Sequence, residues 1–125
     1  MTNKELCLTY LRRYAEKKLD EIAEMFDDEI VLRDWNIVVH GKQNALLETR
    51  KNFDAAKSIV IETLFLYENQ NSIAAELKIT LNGSDELYVI DVVTFNFSGK
   101  IKSIRAYKGR GDEEPRKTNN PVSTI

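Results

Sequence analysis

The chain has 125 residues, a length that fits one domain and leaves little room for two. Its 18 basic and 20 acidic residues give a formal net charge of -2, so no binding surface for nucleic acid or an anionic membrane is expected. The single cysteine, Cys7, excludes an internal disulfide and fits a reducing compartment. No apolar run approaches the roughly 18 residues of a membrane span, and the N-terminus lacks the apolar stretch of a secretory signal. We therefore expect a cytoplasmic protein that binds neither membranes nor nucleic acid.

Helical patterns dominate the first part of the chain. In residues 4–16, Tyr10 and Tyr14 lie four positions apart on an apolar stripe, which predicts an amphipathic helix. A second helical pattern covers residues 18–26. A third predicted helix covers residues 42–53 and follows a His-Gly turn.

Strand patterns dominate the second part. Residues 29–34 and 36–39 are predicted to form two short strands. Asn82 and Gly83 indicate a hairpin, because both residues tolerate positive φ. Long strands joined by short turns indicate an antiparallel meander. These strands are predicted at residues 58–67, 73–81, 86–97 and 100–108.

This order of elements predicts an α+β fold. Three helices cannot cover both faces of such a sheet, so we expect a curved antiparallel sheet wrapped around the N-terminal helices and enclosing a pocket. The domain is predicted to span residues 1–108. Residues 109–125 are rich in Gly, Pro, Asn and charges without periodicity, which predicts a flexible C-terminal tail.

Asp91 is the most informative residue of the sequence. It lies on the more apolar face of its predicted strand, where loss of hydration raises the pKa of a carboxyl group. A carboxylic acid that is neutral at pH 7 can donate a hydrogen bond to a developing oxyanion. The alternative is a structural Asp bonded to a tyrosine or a backbone donor, or a register that turns this face to solvent or to a second subunit. The same-face neighbours are Leu87, Val89, Val93 and Phe95.

Two other residues are candidates for the same chemistry. Asp34 ends the first short strand, where a carboxylate at a pocket mouth could stay ionised and act as a general base. The alternative is an Asp that starts a turn. Tyr10 could donate from its hydroxyl, or it could be a core aromatic. The only histidine, His40, shows no metal-ligand spacing, so we expect neither a metal nor a cofactor.

Several strings resemble one known superfamily. Residues 88–95 (YVIDVVTF), followed by 99–101 (GKI) and 105–107 (RAY), resemble the strand of ketosteroid isomerases that carries a protonated oxyanion-hole aspartate. Residues 25–34 (MFDDEIVLRD) resemble the segment ending in their catalytic base, and 39–42 (VHGK) resembles their turn into the third helix. The chain is therefore similar, over about residues 5–108, to the nuclear-transport-factor-2-like (NTF2-like) superfamily, which includes ketosteroid isomerases and SnoaL-like polyketide cyclases.

The resemblance implies a cone-shaped NTF2-like fold and an isomerase of the steroid delta-isomerase type. Asp34 would be the general base, and Tyr10 with neutral Asp91 would form the oxyanion hole for a small hydrophobic carbonyl compound. No cofactor or metal would take part. Members often pair through the outer sheet face, so a homodimer is expected. The remaining pocket residues are predicted to be Tyr14, Phe26, Trp35, Val89, Val93 and Phe95.

The sequence also departs from the isomerase pattern. Trp35 follows the predicted base where isomerases usually have proline, and Phe26 and Thr49 stand where they carry supporting tyrosines. A weaker tyrosine network, a different mouth and a different substrate are therefore implied. One alternative function is a non-catalytic domain for small-ligand binding or dimerisation. Another is an epoxide hydrolase of the same superfamily, which would require an Asp-Arg-Asp set with Arg105 pointing inward.

Overall fold

A computed structural model describes residues 1–112 of the chain. Helices α1 (Asn3–Ala15) and α2 (Leu19–Ala23) precede β1 (Phe26–Arg33) and β2 (Val38–His40), and α3 (Lys42–Ala55) follows them. The remaining strands are β3 (Ile59–Glu68), β4 (Ser72–Leu81), β5 (Asp85–Phe95) and β6 (Ile101–Gly109). These strands form one curved sheet in the order β2-β1-β6-β5-β4-β3. Most of the tail predicted at 109–125 lies outside the described residues, and β6 continues to Gly109.

The start of α1 is determined by its sequence. Thr2 and Glu5 form a capping box: the Thr2 side chain accepts a hydrogen bond from the Glu5 N–H at 3.1 Å, and the Glu5 carboxylate accepts one from the Thr2 N–H at 3.2 Å. The helix buries Cys7, Tyr10 and Leu11, and it lies against β3 and β4. The apolar stripe predicted from the sequence therefore faces the sheet, and Tyr10 enters the interior.

Strands β3 to β6 form the predicted antiparallel meander. Asn82 and Gly83 have φ values of 56° and 79° in the turn between β4 and β5, as a tight hairpin requires. The α+β fold with a curved sheet around N-terminal helices is thus confirmed. The sheet is mixed, however, because β1 pairs with β6 in parallel. No hairpin joins these two strands, so their relative direction is not constrained by a turn.

The prediction of a helix over residues 18–26 is wrong at its C-terminal end. Helix α2 ends at Ala23, and Phe26 already belongs to β1. The Ile101 N–H donates to the Met25 carbonyl at 2.7 Å, and Phe26 pairs with Ile101. This pairing places buried Phe26 in the sheet, and buried Met25 lies in the turn directly before it. Their spacing fits a helix equally well, and the long-range strand contact decides between the two structures.

The core lies between the helices and the inner face of the sheet. Strand β4 alternates as predicted, with Ile73, Ala75 and Leu77 fully buried. Ile73 also pairs with Val93 of β5, which is 0% exposed. No helix within residues 1–112 is long and apolar enough to cross a membrane.

We expect Ile73→Ala to lower the free energy of unfolding by about 2–5 kcal/mol, because it leaves a cavity in the core. The control is Leu47→Ala on the solvent side of α3, where the side chain is 56% exposed. This control should cost less than about 1 kcal/mol. Urea unfolding of both variants measures the difference. Equal losses would contradict the assignment of the inner face.

Candidate functional site

A cavity of about 320 Å³ lies between the inner face of the sheet and helices α1 and α3. Helix residues Tyr10, Tyr14, Asn52, Ala55 and Ala56 line one side, together with Leu32, Arg33 and residues 34–37 at the end of β1. The sheet contributes Ile59, Ile79, Leu81, Asn82, Leu87, Val89, Asp91, Ile104 and Ala106.

Asp91 lies in the wall that β5 contributes to the cavity. Its cross-strand partners are Ala75 on β4 and Ala106 on β6, so only small side chains flank the carboxyl group. Burial raises the pKa of Asp91 from 3.8 to about 7. No hydrogen bond from residues 1–112 offsets this desolvation. The carboxyl group is therefore largely protonated below neutral pH and can donate a hydrogen bond into the cavity.

Tyr10 is placed beside the same cavity. Its side chain is 3% exposed, and its ring contacts those of Tyr14 and Phe26 at centroid distances of 6.0 and 6.2 Å. Burial, and next the charge of Asp91, raise the pKa of Tyr10 well above its usual value. The phenol therefore keeps its proton and can act as a hydrogen-bond donor.

Asp34 lies at the cavity mouth, just after β1. Its Oδ1 accepts hydrogen bonds from the N–H groups of Asn36 at 2.7 Å and Ile37 at 2.9 Å. The Asp34 N–H also donates to the Ile37 carbonyl at 3.0 Å. The side chain thus forms the turn that the sequence offered as an alternative. Within residues 1–112, no hydrogen bond reaches its second carboxylate oxygen, so the turn orients the group without using all of it.

The predicted pocket residues divide into two groups. The cavity is lined by Tyr14, Trp35 and Val89. The other residues are buried in the core and do not line it: Phe26, Val93 and Phe95. Val93 and Phe95 share the inner face with Asp91, but they lie further along β5, where the helices fill the space. An apolar strand face therefore marks the inside of the fold without distinguishing core from cavity.

Arg105 does not point inward. The hairpin register shifts between Thr94 and Phe95, so Asp91 pairs with Ala106, and Arg105 pairs with Val92. Arg105 is exposed on the outer face, whereas its neighbour Ala106 lines the cavity. If the Phe95–Ile101 pairing continued without the shift, Arg105 would stand opposite Asp91. The irregularity thus keeps a guanidinium away from the buried carboxyl group.

The sequence interpretation missed Asn52. Its Nδ2 donates a hydrogen bond to the Tyr14 hydroxyl at 3.0 Å, across 38 positions of sequence, and both residues line the cavity. The only signal was a polar residue beside buried Phe53 near the end of the predicted third helix. It also missed Ala106, and it placed Leu87 on the face of Asp91 without including it in the predicted pocket; both side chains line the cavity.

No protein-family model matches the sequence, and no curated protein matches it. Solved structures do. An NTF2-like protein of unknown function from Cytophaga hutchinsonii is 14% identical with a TM-score of 0.74, over 87% of this chain and 91% of that one. A putative ketosteroid isomerase from Kribbella flavida is 15% identical with a TM-score of 0.76, over 98% and 89%. SalBIII, an epoxide hydrolase/cyclase-like enzyme of pyran ring formation in the polyether salinomycin, is 27% identical with a TM-score of 0.75, over 86% and 90%.

We expect Asp91→Asn to become more stable relative to the wild type as pH rises. A carboxyl group whose pKa is about 7 when folded and about 3.8 when unfolded stabilises the fold below pH 4, and this contribution is lost as pH rises through 7. Between pH 5 and pH 8 the stability difference between variant and wild type should grow by up to about 3 kcal/mol. Urea unfolding at both pH values measures it. A pH-independent difference would contradict the raised pKa.

Proposed function

We propose that the chain, which shares its fold with NTF2-like proteins, is a proton-transfer enzyme acting on a small hydrophobic carbonyl compound. One observation carries the proposal: Tyr10, Asp34 and Asp91 line a single cavity. Two of them favour the protonated state through burial, because the pKa values of Tyr10 and Asp91 are both raised. Asp34 lies at the mouth with one carboxylate oxygen outside its turn. An acid pair and a base therefore face the same space.

In the proposed mechanism, Asp34 removes a proton from the carbon α to the substrate carbonyl. The electron pair of the broken C–H bond forms the enolate, and negative charge develops on the carbonyl oxygen. Tyr10 and neutral Asp91 donate hydrogen bonds to that oxygen. Asp34 then returns the proton to a different carbon, which regenerates the base and yields the isomer.

The cavity walls favour this chemistry. Leu32, Leu87, Val89 and Ile104 surround the polar groups with apolar side chains. Low polarity strengthens hydrogen bonds to a developing charge, and it selects a hydrophobic substrate. A volume of about 320 Å³ limits that substrate to a small molecule.

Epoxide opening is the second candidate, and the 27% identity with SalBIII favours it. The same groups would act differently in this reaction. Asp34 takes the proton of a substrate hydroxyl, and the oxygen of that hydroxyl forms a bond to one epoxide carbon. The C–O bond of that carbon to the epoxide oxygen breaks, and the epoxide oxygen takes the proton of Asp91. An Asp-Arg-Asp hydrolase site built on Arg105 is not supported, because that side chain lies on the outer face. The reaction would therefore be an internal cyclisation rather than attack by an arginine-assisted water.

The proposal also includes a homodimer. The outer sheet face exposes apolar side chains, which monomers rarely leave uncovered. They are Val60, Leu64, Phe65, Tyr67 and Ile90. This face is opposite the cavity, so pairing would leave the site open. The cytoplasmic location stays a prediction.

We expect Asp34→Asn to lower kcat/KM for isomerisation of Δ5-3-ketosteroids or related enones by about 10²–10⁴-fold, because the general base is lost. Asparagine keeps the Oδ1 acceptor, so the turn to Asn36 and Ile37 persists. Spectrophotometric assay of the conjugated product over a panel of enones measures the effect.

The matched control is Asp28→Asn, which removes an exposed carboxylate from the same strand and should leave turnover unchanged. Unaltered turnover in Asp34→Asn would contradict the role of the base. Binding of enones without any turnover would instead support the non-catalytic binding module.

The two candidate reactions can be distinguished by the substrates that the protein converts. A hydroxy-epoxide that closes to a cyclic ether should react only if the second candidate is correct, and Asp34→Asn and Asp91→Asn should then each lower its kcat/KM by at least about 10²-fold. Substrate and product have the same mass, so chromatographic separation of the two measures the reaction. Turnover of enones alone would exclude the cyclase.

A further inference from the structure

We propose that Tyr14, held by Asn52, determines specificity by donating a hydrogen bond to a second oxygen of the substrate. This inference rests on the proposed function, because it takes Tyr10 and Asp91 as the site of the first oxygen. Proton transfer needs only the first oxygen, so the second one is an additional requirement on the substrate. The substrate would be a carbonyl compound with a hydroxyl or second carbonyl nearer the cavity mouth.

The ring of Tyr14 has a fixed position. It makes edge contacts with Tyr10, at 6.0 Å between centroids and 62° between planes, and with Phe53, at 4.9 Å and 72°. Two aromatic neighbours from different helices therefore restrict both side-chain torsions. The hydroxyl is bound by Asn52 on α3, so both ends of the side chain are held.

The direction of that hydrogen bond leaves the Tyr14 proton available. The Asn52 amide donates to the phenol oxygen at 3.0 Å, which occupies a lone pair and not the O–H. Within residues 1–112 the Tyr14 O–H has no hydrogen-bond acceptor. Accepting one hydrogen bond polarises the phenol and strengthens the one that it donates. The pair thus presents a directed donor to the cavity.

Burial, and to a smaller extent the nearby carboxyl groups, keep the Tyr14 hydroxyl protonated by raising its pKa. Burial raises the pKa of Tyr14, the hydrogen bond from Asn52 lowers it, and the charges of Asp91 and Asp34 raise it. The hydroxyl is therefore within electrostatic reach of both carboxyl groups of the site. A phenol in that place favours a neutral oxygen acceptor, because an anionic one would be repelled by Asp34.

The spacing on α1 separates the two donors along the cavity. Tyr10 is 3% exposed and lies deep, whereas Tyr14 lies one turn further and contacts the exposed Asn52. Four residues of helix span about 6 Å. A rigid ligand with two oxygens at opposite ends can therefore reach both donors, and a ligand with one oxygen can reach only one.

The test compares 2-naphthol with naphthalene-2,6-diol and naphthalene-2,7-diol, measured by isothermal titration. We expect the wild type to bind at least one diol about 5–10-fold more tightly than 2-naphthol, since one hydrogen bond is worth about 1 kcal/mol. Tyr14→Phe should remove this preference and change 2-naphthol binding by less than about 2-fold. The matched control is Tyr67→Phe on the outer face, where the side chain is 57% exposed.

Asn52→Leu tests the role of the amide and stands alone if Tyr14→Phe does not fold. It should reduce the diol preference in the wild type and have no further effect in the Tyr14→Phe background, because Asn52 acts through Tyr14. Three results would overturn the inference: the wild type binds 2-naphthol and both diols equally, it binds none of them, or Tyr14→Phe weakens the binding of 2-naphthol and of the diols by the same factor. Turnover in the Asp34→Asn assay is independent of these outcomes, so failure of the proposed function is seen separately.

Discussion

The parallel pairing of β1 with β6 is the contact on which the candidate site depends. It joins the helical first part of the chain to the meander, and it brings the end of β1 beside the strand that flanks Asp91. Asp34 follows β1 directly, so the same pairing determines which edge of the cavity its carboxylate occupies. Without this contact Asp34 and Asp91 would belong to separate substructures, since they are far apart in sequence and no hairpin connects β1 to the meander.

The cavity also represents a conflict between stability and chemistry. An alanine lies on each side of Asp91, where larger apolar residues would fill the space and strengthen the core. The carboxyl group faces the cavity without a hydrogen bond from residues 1–112, and burial of the residue disfavours its ionised form below a pKa of about 7. Such an arrangement destabilises the free protein, and it is typical of sites where a ligand supplies the missing partner.

The sequence was sufficient for the features that local chemistry controls. Alternation identified the inner face of β4, and Asn82-Gly83 located its hairpin, because side-chain period and φ preference act over a few residues. The sequence was insufficient where contacts between distant segments determine the local structure. The local pattern around Phe26 fits a helix, and only its pairing with Ile101 makes it a strand residue. Asn52 is an ordinary polar helix residue in the sequence, and only the packing of α3 brings its amide to the Tyr14 hydroxyl. Likewise, Val93 and Phe95 share a face with Asp91, and only the depth of helix packing separates core from cavity.

The register shift between Thr94 and Phe95 determines which residue of β6 stands opposite Asp91. A regular hairpin that continued the Phe95–Ile101 pairing would place Arg105 opposite the aspartate. In this chain that position belongs to Ala106. Deleting one residue of β5 between Asp91 and Phe95, with the remaining pairing unchanged, would exchange the neutral methyl group of Ala106 for the guanidinium of Arg105. The length of this hairpin therefore decides whether the cavity wall beside Asp91 is neutral or cationic, with the rest of the scaffold unchanged.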